Sequence, residues 1–287
     1  MNVLAFGETL WDVYPNARYL GGATLNFAAH LAKCGAEVWI NTSVGNDSMG
    51  ADAISTIKNW NIHTDYVSVL DKETGKCLVT LDSNQIPSYD LLDDVAYDYI
   101  EAPKLTDPFD LLYFGTLALR NEHNRKAIRE ILDKNKFGDV FVDVNIRPPF
   151  YSDEVVQFAM KHATIVKISD EELSKVMQAI GENCVSLSEC ARLLHEKFDN
   201  LKLIIITRGG SGSSIYECAL DAWYERNAEK VEVVSTVGAG DSFSAAFVAK
   251  YYQTKDINAS LSFATKISGY VVSCMDAVPE YDAKDFE

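Results

Sequence analysis

VEVVSTVGAGDSFSAAFVAKYY, residues 231–252, is the stretch that decides the fold. A β-branched run stops at Gly238, a lone aspartate follows at Asp241, and an apolar-periodic segment begins at once. The pattern predicts a strand, a glycine turn and a helix over Ser242–Tyr252. Glycines let the backbone turn sharply and approach a ligand with no Cβ in the way. The N–H groups of Ala239, Gly240 and Asp241 would then point out from the helix start, where unpaired donors and the positive end of the dipole favour concentrated negative charge. Asp241 fits an N-cap or first-turn acid as well as a chemical group, and spacing alone favours the cap.

Outward from that turn, strand-like runs recur: VLAFG (3–7), VWINTSV (38–44), LLYFG (111–115), VFVDVN (140–145), TIVKIS (164–169) and LIIIT (203–207). Several are apolar throughout, which suits strands covered on both faces. Helix-spaced apolar residues fill Asn26–Cys34, His123–Asn135, Glu171–Ala179 and Ser188–Phe198. Strand–helix alternation predicts an α/β fold with a central, mostly parallel sheet covered by helices on both faces. Two segments break the rhythm, about 12–22 and 64–100, the second carrying YVSVL, GKCLVTLDSN and IPSYD. They are expected to form a small inserted β lid, the whole chain 1–287 being one domain. Helical core is expected of Phe243, Phe247 and Tyr251.

Bulk properties narrow the function. With 42 acidic and 26 basic residues among 287, the net charge is −16, which repels nucleic acid and anionic lipid. A polyanionic ligand must therefore be met by helix N-termini and a few local cations. No apolar run is long enough to span a membrane. The start, MNVLAFGETLWDVYP, has no basic region before its apolar residues and suits a first strand better than a signal peptide, which points to the cytoplasm. The six cysteines, Cys34, Cys77, Cys184, Cys190, Cys218 and Cys274, are scattered among apolar or small neighbours and are expected as buried free thiols. The histidines are not at metal-ligand spacing, which argues against a structural zinc.

Three further polar clusters follow predicted strands or open helices: GGATLNFAAH (21–30), DVNIRPPF (143–150) and ITRGGSGSSIY (206–216). Open α/β sheets bind ligands where such groups gather at strand ends, and four at one edge suggest a phosphate-rich site.

These motifs resemble those of the ribokinase-like (PfkB) sugar kinases, over nearly the whole chain. STVGAGD (235–241) matches the family's C-terminal signature, and Gly21, Gly22 and Asn26 match its N-terminal one. Asp12 matches the early substrate-binding aspartate; Asp143, Asn145 and Arg147 match the D-x-N-x-R element; Thr207, Gly209 and Gly212 match the nucleotide element. The resemblance implies a ribokinase-like fold and a Mg·ATP-dependent transfer of the γ-phosphate to a primary hydroxyl of a monosaccharide. It makes Asp241 the general base and the Gly238, Ala239, Gly240 and Asp241 backbone the anion hole. Asp12, Gly22, Asn26 and Arg147 would hold substrate, and Thr207, Gly209 and Gly212 the nucleotide. The physics agrees, since phosphoryl transfer rests mainly on positioning and on neutralising charge.

Three departures qualify the match. Ser235 stands where relatives carry the aspartate that helps bind a monovalent cation, which argues against potassium activation, and Val237 stands in a place often held by threonine. The N-x-x-E magnesium element appears as Ser169 and Glu172, so magnesium is expected through waters and phosphate oxygens, with Glu172 behind a water. The segment FATKISGYVVSCMDAVPEY is expected as a C-terminal helix on the adenine side, with a weak residue match. The GETLWDVYP start and the LVTLDSNQIPSYD segment look fructokinase-like, which favours fructose. Ribose, ketodeoxygluconate and nucleosides are the alternative acceptors, and a non-catalytic sugar sensor is a second class. A dinucleotide oxidoreductase is disfavoured, because ETLWD and no further glycines follow the first strand. An exposed lid edge could pair with its twin in a homodimer.

Overall fold

The central strands are mostly apolar because each has two covered faces. In Asn2–Phe6, Leu4 and Phe6 pack into one core cluster while Val3 and Ala5 pack into another; Ile204 and Ile206 separate in the same way from Leu203 and Ile205. Side chains alternate along a strand, so such a sheet has no polar face to show. The computed structural model describes residues 1–81 and 87–287.

In chain order, β1 (Asn2–Phe6) is followed by the hairpin β2 (Leu10–Val13) and β3 (Arg18–Gly21). Then come α1 (Ala23–Lys33), β4 (Glu37–Gly45), α2 (Ser48–Asn59), β5 (Val67–Leu70), β6 (Gly75–Leu81) and β7 (Pro87–Leu91). Strict alternation follows: β8 (Phe109–Gly115), α3 (Glu122–Lys134), β9 (Phe137–Asp143), α4 (Asp153–His162), β10 (Ile165–Ser169) and α5 (Asp170–Ala179). The chain ends with α6 (Leu187–Lys197), β11 (Leu203–Thr207), β12 (Ser213–Glu217), β13 (Ala222–Arg226), α7 (Ala239–Thr254) and α8 (Ile257–Val272).

The main sheet runs β13-β12-β11-β10-β9-β8-β1-β4-β5, parallel except at the β11–β12 and β12–β13 pairs. Residues of α1, α7 and α8 pack one face, with Phe27 stacked on Tyr113 and Phe243 and Phe247 buried, and Tyr251 beside them at the rim. Residues of α3, α4, α5 and α6 pack the other. A second sheet, β3-β2-β6-β7, is built from the two inserted segments, with β2 and β6 parallel and both outer pairs antiparallel. Parallel strands bring the ends of β1, β9, β10 and β11 to one edge, with Lys167 opposite Asp143 and Ser169 opposite Thr207.

Four expectations change. YVSVL belongs to the main sheet: Val67 lies opposite Thr42 of β4, so the second inserted segment contributes only β6 and β7 to the small sheet, not all of 64–100. Residues 82–86 of the expected lid segment lie outside the described residues. Val231–Val237 is not a strand; Val233 and Val234 are exposed, and the segment is tied to α8 by the Val234 and Ser235 amides donating to the Val272 carbonyl at 2.8 and 3.2 Å. The C-terminal helix stops at Val272. Cys184 and Cys190 form a disulfide, their Cα atoms 5.3 Å apart, because the loop before α6 folds back over its first turn; the other four cysteines are free thiols. Among the described residues no helix is long and apolar enough to cross a membrane.

Candidate active site

Gly238 caps α7 from the left-handed region, at φ 80° and ψ −4°, with no side-chain cap. A Cβ there would lie 2.6 Å from the Ala277 carbonyl oxygen, so glycine answers both conformation and space. Among the described residues the Gly240 and Asp241 amides have no protein hydrogen-bond partner, the orphan donors of a helix start. Asp241 lies in the first turn and is not the N-cap. Its Oδ2 instead accepts a 2.8 Å hydrogen bond from Asn26 Nδ2, across 215 residues of chain.

Burial raises the Asp241 pKa above the ordinary carboxylate range; the Asn26 bond and the Lys167 charge oppose that, Glu8 adds to it and Arg147 reduces it. A carboxylate raised in this way is better matched to taking a proton near neutral pH. Asn26 is placed by α1, whose N-cap Gly22 sits at φ 107° where a Cβ would lie 2.6 Å from the Glu8 carbonyl oxygen. Asp12, on β2, stands over Gly21, its Oδ2 3.1 Å from where a Cβ would be. Burial lifts its pKa to about 6, against the Cys77 thiol bond and the charge of Arg147.

Beneath the turn lies a buried ion pair. Lys167 Nζ donates to Asp143 Oδ1 at 3.0 Å and Oδ2 at 3.1 Å. Burial works against the ammonium, yet the carboxylates of Asp143, Glu172 and Asp241 hold its pKa above the ordinary lysine value. Glu172 closes a capping box with Ser169 and accepts from the amides of Ile146 at 2.6 Å and Ser169 at 2.9 Å. Both its oxygens are therefore committed to backbone, and among the described residues no cluster of acids, histidines or cysteines could by itself hold a metal. That fits a magnesium ion carried by phosphate oxygens and water, not one caged by side chains.

This site sits on a chain whose residues 4–283 match the family model "pfkB family carbohydrate kinase". The chain belongs to the pfkB family of carbohydrate kinases. A fructokinase from Rhizobium leguminosarum bv. trifolii is 28% identical over 86% of this chain and 78% of its own length. A 5-dehydro-2-deoxygluconokinase from Listeria innocua is 24% identical over 98% and 90%. An uncharacterized sugar kinase from Pyrococcus horikoshii, solved in complex with ATP, superposes with a TM-score of 0.81 at 22% identity, covering 99% of this chain and 96% of that one.

Direct contacts or mutual fields gather most of the expected pfkB residues: Asp241, the Gly238–Asp241 backbone, Asn26, Gly22, Asp12 and Arg147. Arg147 is exposed, and its charge acts on both Asp12 and Asp241. Thr207, Gly209 and Gly212 follow at the β11–β12 connection, one strand over. Gly209 has φ 49° and Gly212 φ 98°, where a Cβ would run into the Arg226 carbonyl of β13. Two shallow surface hollows, about 550 Å³ beside Glu37 and His63 and about 480 Å³ beside Asp47 and Lys72, gather no such set.

Three buried residues escape motif matching. Glu8 is 1% exposed, its pKa raised by burial, and its field reaches Asp241. Lys167 interrupts an apolar strand, a visible signal inside TIVKIS. His30 lies one turn beyond Asn26; its Nε2–H donates to the Ala277 carbonyl at 2.8 Å and its Nδ1 accepts from the Tyr281 hydroxyl at 2.8 Å, a pairing that fixes the neutral tautomer.

Proposed function

We propose that this pfkB-family sugar kinase phosphorylates fructose at a primary hydroxyl with ATP as donor. The Asn26–Asp241 bond carries the reading: it ties the helix of the sugar-side signature directly to the carboxylate beside the orphan amides. As the fructose hydroxyl oxygen bonds to the γ-phosphorus, its proton passes to Asp241. The bond from the γ-phosphorus to the bridging oxygen breaks and ADP departs. The Gly238, Ala239, Gly240 and Asp241 backbone faces the charge on the transferred group, while Asp12, Gly22, Asn26 and Arg147 orient the acceptor. Thr207, Gly209 and Gly212 line the nucleotide. Magnesium, when bound with ATP, neutralises phosphate charge, and Glu172 would reach it only through water.

Fructose is favoured by the Rhizobium fructokinase; the Listeria relative keeps a gluconate-type ketose as the runner-up, with ribose and nucleosides behind it. Ser235 at the signature's first position supports activity without potassium. The open edge of β3, which exposes Tyr19, supports a homodimer through the lid, and a cytoplasmic setting suits an ATP-dependent enzyme.

ADP release across fructose, ribose, ketodeoxygluconate and a nucleoside tests the assignment, with fructose expected to give the highest kcat/KM. Asp241→Asn should lower kcat about a thousandfold and leave ATP binding intact, within the range for losing a general base. Turnover of none of these acceptors would leave the sugar-sensor alternative standing.

A further inference from the structure

Lys167 sits in β10 where its same-face neighbours, Ile165 on its own strand and Ile205 opposite it, are core residues. At 7% exposure it is almost wholly out of solvent, a place lysine occupies only for a reason. Pairing with Asp143 is half of that reason. Both Asp143 oxygens lie within hydrogen-bond distance of Nζ, and among the described residues the ammonium has no acceptor besides that carboxylate, which leaves it an N–H to give. A buried ion pair is no more stabilising than an apolar pair of the same shape, so a core alone would not call for one here.

The other half lies where β10 meets the first turn of α7. A Cβ on Gly240 would be 2.9 Å from Lys167 Nζ. Gly240 is not among the glycines with positive φ, so its conformation would admit alanine; the ammonium fills the space that a side chain would need. The surrounding charge is lopsided: Asp143, Asp241 and Glu172 act on this lysine, while the other cation acting on Asp241, Arg147, is exposed.

We propose that Lys167 is the fixed cation of the phosphoryl-transfer site, held by Asp143 against Gly240 so that a remaining N–H meets the phosphoryl group lying over the anion-hole turn. The proposal rests on the kinase reading above. In a site drier than water a positive charge placed in advance stabilises charge spreading over the transferred group more than it stabilises bound ADP. No bond to Lys167 forms or breaks, and the hydroxyl proton still goes to Asp241.

Removing the lysine alone would leave Asp143 buried and unpaired, so the informative protein is the double variant Lys167→Met/Asp143→Asn, with Asp143→Asn as its partner and thermal melts to confirm folding. Calorimetry with magnesium and fructose compares ADP with ADP plus aluminium fluoride, a mimic of the group in flight. Wild type should prefer the mimic, and the double variant should lose about a hundredfold of that preference while ADP affinity moves less than about threefold. Asp143→Asn, which retains the ammonium, should lose less than about tenfold. A folded double variant that keeps the preference, or loses ADP and mimic alike, makes Lys167 a structural pair partner and overturns the proposal. Should wild type turn over no sugar, the kinase reading fails separately, because the mimic preference is measured without turnover.

Discussion

The two flanks of the Asp241 turn are built from different material. On the flank of α1 and the small sheet the work falls to polar side chains, Glu8 and Asn26 buried and Asp12 half-buried, each set by a neighbouring glycine or strand pair. On the β10–β12 flank it falls to backbone at Gly209, Gly212, Gly238 and Gly240, with one lysine beneath. Side chains can be exchanged on a constant backbone, so acceptor choice can drift while the transfer geometry stays. A fructokinase and a 5-dehydro-2-deoxygluconokinase at similar distance from this chain are consistent with that division.

Adding a methyl group to each kind of donor-flank glycine gives the sharpest test. Gly240→Ala places a carbon 2.9 Å from Lys167 Nζ, and the ion pair with Asp143 keeps that ammonium from swinging aside. A fall in kcat of about a hundredfold is expected, the size seen on losing one anion-hole donor, with the KM for fructose little changed. Gly210, with nothing within 4 Å of a built Cβ and no positive φ, is the control, and Gly210→Ala should stay within about twofold, as surface substitutions do. Equal behaviour of the two variants in steady-state kinetics would erase the claim that backbone space at Gly240 is functional.

The acceptor flank should respond in stability. Burial lifts the Asp12 pKa from 3.8 to about 6, so the folded protein holds a proton that the unfolded chain releases between those values. The stability gained from that proton is complete below the lower value and gone above the upper one. At neutral pH the fold carries a desolvated carboxylate. Asp12→Asn should therefore raise unfolding free energy at pH 7.5 by about 1–3 kcal/mol, with the gain shrinking toward pH 4, while fructose binding weakens. Urea melts at the two pH values decide it, and a gain of the same size at both would show that Asp12 does not titrate as described.

How much of this was legible in the sequence differs along the same line. Gly238, Asp241, Gly22 and Asn26 form contiguous motifs, because a helix start must carry its glycine and its polar residue a fixed number of positions apart. The main strands were legible for a related reason, being apolar runs covered on both faces. Lys167 and Asp143 meet only through the register of β9 and β10, and Glu8 acts on Asp241 through space, so neither link has a spacing to find. YVSVL carried no mark of which sheet it would join; partner choice for a short strand is settled by β4, not by its own residues. The valines before Gly238 suggested a strand, but β propensity needs a partner edge, and this segment meets the end of α8 instead.

The smallest effect is expected where the flanks are joined. His30 extends α1 beyond Asn26 to the Ala277 carbonyl, and Ala277 packs against Gly238, so one helix steadies both the proposed base and the first residue of the proposed anion hole. His30→Leu removes the donor to Ala277 and leaves that carbonyl and the Tyr281 hydroxyl unpartnered, whereas His30→Gln can still donate. A fall in kcat of about tenfold is expected for leucine, with the KM for fructose unchanged and glutamine restoring most of the loss. Burial holds the His30 pKa at about 4, with the Ala277 bond raising it and Lys33 lowering it, so the ring is neutral over the working range. The acidic limb of the rate profile, which the proposed mechanism assigns to Asp241, should then keep its position in both variants. A limb that moves in the leucine variant would mean that His30 acts on the proton itself, and the two flanks would no longer be joined by geometry alone.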